Sequence, residues 1–261
     1  MNPTAVQLDR DTLLSAVAQM WPHVEFVERT GSTNADLLAA AAAGAPDHSV
    51  LVAEHQETGR GRLARTWVSP PGSGLTVSVL LRPTGVPPSR YGWLPLLAGL
   101  AVLDTVVELT SVPAKLKWPN DLLIGTDQRK AAGILAEVSG DAVVIGIGLN
   151  VGAAPAGQPL ATSLAAEGAD LDRTVVLGCL LRHLGMRESR WRDRRGDPEV
   201  LHGDYRAGCA SLGSTVRVEL PGGAVLTGIA EDVDSDGRLL VLDATGTRRA
   251  VAAGDVVHVR P

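Results

Sequence analysis

Four short stretches of the chain hold residue types suited to chemistry rather than packing. In the first, Gly59-Arg60-Gly61-Arg62-Leu63-Ala64-Arg65-Thr66-Trp67, three guanidinium groups fall within six residues. Guanidinium groups that close repel one another unless an anion sits among them, and phosphate or carboxylate matches their planar fork. Gly59 and Gly61 let the backbone close over a ligand, and Trp67 offers a face on which a base can stack. The second stretch, Lys115-Leu116-Lys117-Trp118-Pro119-Asn120-Asp121, breaks a strand at Pro119 and presents Asn120 and Asp121 at its end. A carboxylate beside Lys117 suits magnesium and phosphate handling. In the third, Arg129-Lys130-Ala131-Ala132-Gly133, Lys130 stands at the mouth of an apolar strand as an electrostatic clamp. The fourth, Gly146-Ile147-Gly148-Leu149-Asn150, is a strand whose glycines leave room for a ligand to approach. Each has a plain alternative: a solvated basic loop, a turn, a solvated lysine, tight sheet packing.

Familiar motifs are excluded. Residues 59–64 match the G-x-G-x-x-A form of the dinucleotide fingerprint, but that motif needs a helix next and an acidic residue about 20 positions later. Here Trp67-Val68-Ser69-Pro70-Pro71-Gly72 follows, which is not helical. No G-x-x-x-x-G-K-[ST], G-x-S-x-G or H-E-x-x-H occurs, and the six histidines lack H-x-x-x-H spacing. Two cysteines, Cys179 and Cys209, are too few for a four-cysteine zinc site and read as reduced thiols. Asp232, Asp234 and Asp236 alternate as calcium ligands do, but without the EF-hand glutamate they describe a solvated hairpin.

The elements that must position these residues follow from the apolar spacing. Helices are predicted over 9–20, from Ser32-Thr33-Asn34 to Gly44, over 91–109 (the longest), 173–190 and 198–209. Strands are predicted over 24–28, 49–54, 75–81, 115–118, 122–124, 131–138 and 142–150. Consecutive strands with helices before and after favour an α+β fold with a mixed β-sheet flanked by helices. From Ser211 the texture changes to short β runs, 216–220, 224–233, 238–243 and 248–259, split by hairpin residues; these predict a small C-terminal barrel. The expected division is 1–212 and 213–261.

Composition bounds the function classes. The 261 residues carry 24 Lys and Arg against 29 Asp and Glu, a net charge of −5, which opposes a general nucleic-acid or anionic-membrane binder. The longest apolar run, 93–103, contains Pro95 and is too short to span a membrane. No secretory signal opens the chain, so a cytoplasmic protein is expected.

Taken in order, Ser32-Thr33-Asn34, Gln56 with Gly59-Arg60-Gly61-Arg62, Lys117-Trp118-Pro119-Asn120-Asp121, Lys130 with Gly133, and Gly148-Leu149-Asn150 closely resemble the biotin–protein ligases over essentially the whole chain. The resemblance implies a class II synthetase-like mixed sheet with a C-terminal SH3-like barrel. It also implies two reactions: biotin and MgATP give biotinyl-5′-AMP and pyrophosphate, then a lysine of a biotin carboxyl carrier protein accepts the biotinyl group. By resemblance, biotin is held by Ser32, Thr33, Asn34, Gln56, Gly59, Arg60, Gly61, Arg62, Lys130 and Gly133. ATP or the adenylate falls to Arg60, Arg62, Arg65, Trp67, Lys117, Asn120, Lys130, Gly148 and Asn150. Lys130, Arg62, Lys117 and Asp121 are the expected catalytic residues, with Asp121 the candidate magnesium ligand. One departure is Ala64, where the family commonly has a third loop glycine. Only 31 residues precede Ser32, with two Arg against four acidic residues, so no DNA-binding unit is expected. Two rivals stand beside this reading: a lipoate–protein ligase or octanoyltransferase of similar fold, and a nucleic-acid-binding module using Arg60, Arg62, Arg65 and Trp67.

Overall fold

The computed structural model describes residues 7–62, 65–220, 223–252 and 254–258. Asp9 caps α1 (Arg10–Val17), its carboxylate accepting from Thr12 N at 3.1 Å, and Leu13 and Val17 are buried one turn apart. Next come β1 (His23–Thr30), α2 (Thr33–Ala42) and β2 (Ser49–Gln56), with β1 and β2 parallel, as a helical crossover requires. After β3 (Gly74–Leu81), a 3₁₀ turn at Pro88–Trp93 leads into α3 (Leu94–Leu109). Pro95 sits in the first turn of α3, where its missing N–H costs nothing. Four strands then meander: β4 (Ala114–Lys117), β5 (Asp121–Ile124), β6 (Arg129–Ser139) and β7 (Ala142–Asn150). The seven-stranded sheet runs β1-β2-β3-β7-β6-β5-β4, antiparallel except for β1 and β2. It is the expected mixed sheet.

Strand alternation separates two faces. Val77, Val79 and Leu81 of β3 and Val143, Ile145 and Ile147 of β7 join the main core with α1, α3 and α4. On the other face Leu51, Leu80 and Val144 pack against Leu37 and Ala41 of α2. Along the same rows, past the end of α2, the pairs Ser78–Gly146 and Thr76–Gly148 and then Asn150 follow, small or polar. That uncovered half of the face is a floor.

Two expectations about helices change. The longest is α4 (Arg173–Asp193, 21 residues), since the predicted 91–109 helix yields its start to the 3₁₀ turn. The charged end of α4 is sustained by ion pairs from Arg187 to Asp104 and from Arg192 to Glu188 and Asp47, which an apolar-spacing argument does not see. Residues Pro88–Leu109 together are also long and apolar enough to span a membrane, contrary to the shorter run expected, but they form the central core helix between the sheet and α4.

After α5 (Glu199–Gly208), β8 (Thr215–Glu219), β9 (Val225–Val233), β10 (Leu239–Asp243), β11 (Arg248–Val251) and β12 (Asp255–His258) form a five-stranded antiparallel sheet ordered β11-β10-β9-β8-β12. The single run predicted over 248–259 is thus two strands. Gly254 turns the chain back against β8, so close that a side chain there would meet Val218 and the Glu219 carbonyl. Asp234 accepts from Asp236 N and Arg238 N and pairs with Arg238, so the aspartate row is a capped hairpin. Two buried tryptophans stitch this sheet to the first: Trp93 Nε1 donates to Asp234 O and Ser235 O, and Trp118 Nε1 to Gly237 O, at 3.1–3.2 Å.

Candidate active site

Ser32 ends β1's connection and caps α2, so the next two side chains stand at the rim of the floor. Thr33 donates from both N and Oγ1 to Gln56 Oε1, at 2.8 and 2.9 Å. Ser78, fully buried on β3, places its Oγ 2.7 Å from Thr33 Oγ1 and 2.6 Å from Asn34 Oδ1. Asn34 Nδ2 donates to Leu135 O and Glu137 Oε2. Asn34 therefore spends its polar atoms anchoring α2 to β3 and β6. Ser32, Thr33 and Gln56 are left as the polar end of the cleft, fixed by one connected network.

Residues 59–62 and 65–67 of the arginine stretch pair as two arms laid over the floor. Trp67 N donates to Gly59 O, Gly61 N donates to Arg65 O, and Arg60 bridges to Thr66. A side chain on Gly59 would overlap the Trp67 carbonyl, so this tight pairing requires glycine. Arg62 Nη1 reaches Asn120 Oδ1 at 3.3 Å and ties the arms to the turn after β4. Burial lowers the Arg62 pKa; nearby Asp121 opposes the shift and Arg65 adds to it. Ala64 lies outside the described residues.

Lys117 and Asp121 face each other across the β4–β5 pair. Asn120 exchanges bonds with Ile134, Nδ2 to O at 3.0 Å and O from N at 2.9 Å, which locks the turn to β6. Lys130 Nζ lies 2.6 Å from Asp121 Oδ1. Burial lowers the Lys117 pKa; Asp121 counters this, while Lys130 and Arg65 reinforce it.

A bulge explains how Lys130 reaches the cleft. Residues three apart on a regular strand face opposite ways, and Lys130 and Gly133 are three apart. The β5–β6 register shifts between Leu122 and Leu123, which pair with Ala132 and Lys130, so Ala131 is an inserted residue. The insertion reverses the parity, and a Cβ on Gly133 would lie 3.4 Å from Lys130 Nζ. No signal in the sequence marks this bulge.

Above Gly133 and Gly148, paired across β6 and β7, lies the Trp67 indole. A side chain on Gly148 would overlap the ring, and one on Gly133 would stand 3.1 Å from it. Lys130 Nζ is 5.8 Å from the ring centroid. Trp67 Nε1 and Asn150 Oδ1 are buried without a hydrogen-bond partner, whereas Asn150 Nδ2 donates to Thr162 O. A donor and an acceptor left unsatisfied in one cleft are placed for a planar, polar-edged ligand.

Most of the sequence-derived candidates converge on one cleft of about 260 Å³: Ser32, Thr33, Asn34, Gln56, Arg60, Gly61, Arg62, Arg65, Trp67, Asn120, Asp121, Lys130, Gly133, Gly148 and Asn150. Gly59 instead lines the outer groove beside Glu57 and Glu137, and Lys117 lies off the cleft wall behind Asp121. Sequence reasoning missed Ser78 and Thr76, ordinary strand residues by pattern. It also missed Pro155, Gln158 and Ala161, whose loop reads only as a connector. Asp121 is the single carboxylate among the described residues of the cleft wall, against three arginines and a lysine. Such a wall binds anions and offsets charge that builds between them.

Sheet, cleft and C-terminal unit together define a family, and the chain belongs to it: residues 26–151 match the biotin/lipoate A/B protein ligase family and residues 211–259 the biotin protein ligase C-terminal domain. Within that family it is 50% identical to the biotin–[acetyl-CoA-carboxylase] ligase of Mycobacterium tuberculosis, over 96% of this chain and 94% of that protein. The biotin protein ligase from Aquifex aeolicus, solved with biotin and ATP, is 28% identical with a TM-score of 0.76, covering 92% of this chain and 100% of that one. The Leishmania major enzyme in complex with biotinyl-5-AMP is 27% identical with a TM-score of 0.63, covering 89% and 99%.

Proposed function

We propose that this protein is a biotin–protein ligase that adenylates biotin with ATP and transfers the biotinyl group to a carrier lysine. One observation carries the reading: Lys130, Arg62 and Asp121 line the same cleft as the polar pair Thr33 and Gln56 and the pair Trp67 and Asn150, with Lys130 Nζ 2.6 Å from Asp121 Oδ1. Biotin's ureido ring suits the polar end. Adenine suits the indole face, with its exocyclic amine donating to Asn150 Oδ1. The two anions then meet at the cations.

In the first step a biotin carboxylate oxygen attacks the α-phosphorus of ATP, and the bond to the bridging oxygen breaks to release pyrophosphate. Arg60, Arg62 and Lys130 offset the repulsion between attacker and phosphate, which is strongest as they close. Lys117 sustains this field from behind Asp121. In the second step the neutral amine of the carrier lysine attacks the acyl carbon, AMP leaves, and the amine loses one proton. The paired Arg arms over the cleft keep water from the anhydride meanwhile. Magnesium binds through few carboxylates plus substrate phosphates, and Asp121 alone in a cationic wall fits an ion that enters with the nucleotide. When bound, the metal supplies further charge neutralisation at the phosphates.

In this reading residues 1–212 are the catalytic unit and 213–261 its C-terminal partner. The acceptor is the biotin carrier domain of a carboxylase, with no role for DNA or a membrane. Two unpaired cysteines, both buried, accord with a cytoplasmic setting. Pyrophosphate release on mixing protein, MgATP and biotin, absent when lipoate or octanoate replaces biotin, is the expected result. Release with lipoate alone would favour the sister activity of the family, and no release with any acid would sink the reading.

A further inference from the structure

On the face of the large sheet remote from the cleft, α3 and α4 pack together. Asp104 and Glu108 lie one turn apart on α3, and Cys179 and His183 one turn apart on α4, so each pair shares a helix face. The two faces meet. Glu108 Oε1 is 3.5 Å from Cys179 Sγ, and Glu108 Oε2 is 3.0 Å from His183 Nε2. All three donor atoms lie within 4.8 Å of one another. Tetrahedral ligands bonded at about 2.0–2.3 Å stand roughly 3.3–3.8 Å apart, so little movement brings these three onto one ion.

We propose that Glu108, Cys179 and His183 form a binding site for a divalent transition metal ion of the zinc or cobalt type, clamping α4 to α3. The donor set is thiolate, imidazole and carboxylate, which this class of ion accepts and magnesium or calcium does not. His183 turns Nε2 toward Glu108 while Nδ1 faces Asp104 Oδ2 at 3.8 Å, the orientation in which a carboxylate fixes the imidazole tautomer of a metal ligand. Asp104 is itself held by Arg187. Arg182 bridges the cluster, 2.6 Å from Glu108 Oε1 and 3.4 Å from Cys179 Sγ. Its side chain is 39% exposed and can swing into solvent, leaving the incoming dication to replace its charge. Burial and the Glu108 charge keep the Cys179 thiol protonated, so metal binding forms the S–metal bond and releases that proton. The site stands behind the sheet and is independent of the catalytic reading.

Co²⁺ titrated into tag-free full-length protein tests it. Expected are a 1:1 complex with a thiolate-to-cobalt charge-transfer band in the near ultraviolet, displaced by Zn²⁺. Cys179→Ser abolishes the band, Cys209→Ser keeps it, and the exposed variant Glu108→Gln weakens affinity at least tenfold without disturbing the core. His183→Ala weakens it similarly. Absence of the band in the wild-type protein, its survival in Cys179→Ser, or wild-type affinity in both Glu108→Gln and His183→Ala overturns the site.

Discussion

Gly148 shows how a single missing side chain shapes the site. The Trp67 indole occupies the space its Cβ would need, so Gly148→Ala pushes the ring off the floor. Isothermal titration should show ATP affinity falling at least tenfold, with biotin affinity much less changed; equal losses for both ligands would place Trp67 elsewhere in the reaction. Lys130→Ala removes the cation nearest Asp121, and adenylation measured by pyrophosphate release should fall by about 10²–10³-fold, as for a lost electrostatic stabiliser. At this scale the sequence was informative about residue types and poor about direction. Arg60, Arg62 and Trp67 are the residue types that anion and base binding would use, and their meeting in one cleft is what the sequence could not supply. The orientation of Lys130 depends on one inserted residue in β6, and that of Asn34 on a buried serine 44 positions away.

In the proposed mechanism, retention of the intermediate rests on the paired arms 59–62 and 65–67. Their tie to the β4–β5 turn is the Arg62–Asn120 bond. Arg62→Gly cuts that tie and removes a cation, so adenylate should form more slowly yet escape more readily; labelling of bystander proteins with biotin should rise, and no rise would mean the arms are not the seal. Behind them, Ser78→Ala leaves Thr33 and Asn34 short of one buried partner and should cost about 1–3 kcal/mol of stability in urea melts. The strands and α2 could be read from apolar alternation and from Ser32 as a cap, because burial and capping are local. Splitting the last β run in two, and giving α4 more length than α3, depended on contacts with distant elements.

Across the whole molecule, charge pairs and seams set stability. His48 Nε2 lies 3.2 Å from the buried carboxylate of Glu188, beside Asp47, Arg192 and the edge of Trp21. The Glu188 hydrogen bond raises the His48 pKa above its usual value near 6.5, against opposition from burial and Arg192. A raised pKa means the protonated form is favoured by folding, so this stabilisation is fully present below about pH 6.5 and fades as pH rises through the folded value. Thermal melts of the wild type relative to His48→Gln should therefore converge toward alkaline pH; a constant difference would remove His48 from the pair. At the seam, Trp93→Phe deletes the donor to Asp234 O and Ser235 O and should cost about 1–2 kcal/mol. Of the five tryptophans, Trp21, Trp93, Trp118 and Trp191 are fully buried, and Trp67 is the one left half-open, resting on two glycines beside an ammonium group. The protein therefore carries its own optical probe: quenching or a wavelength shift in intrinsic emission reports events over the cleft against a steady background from the other four indoles.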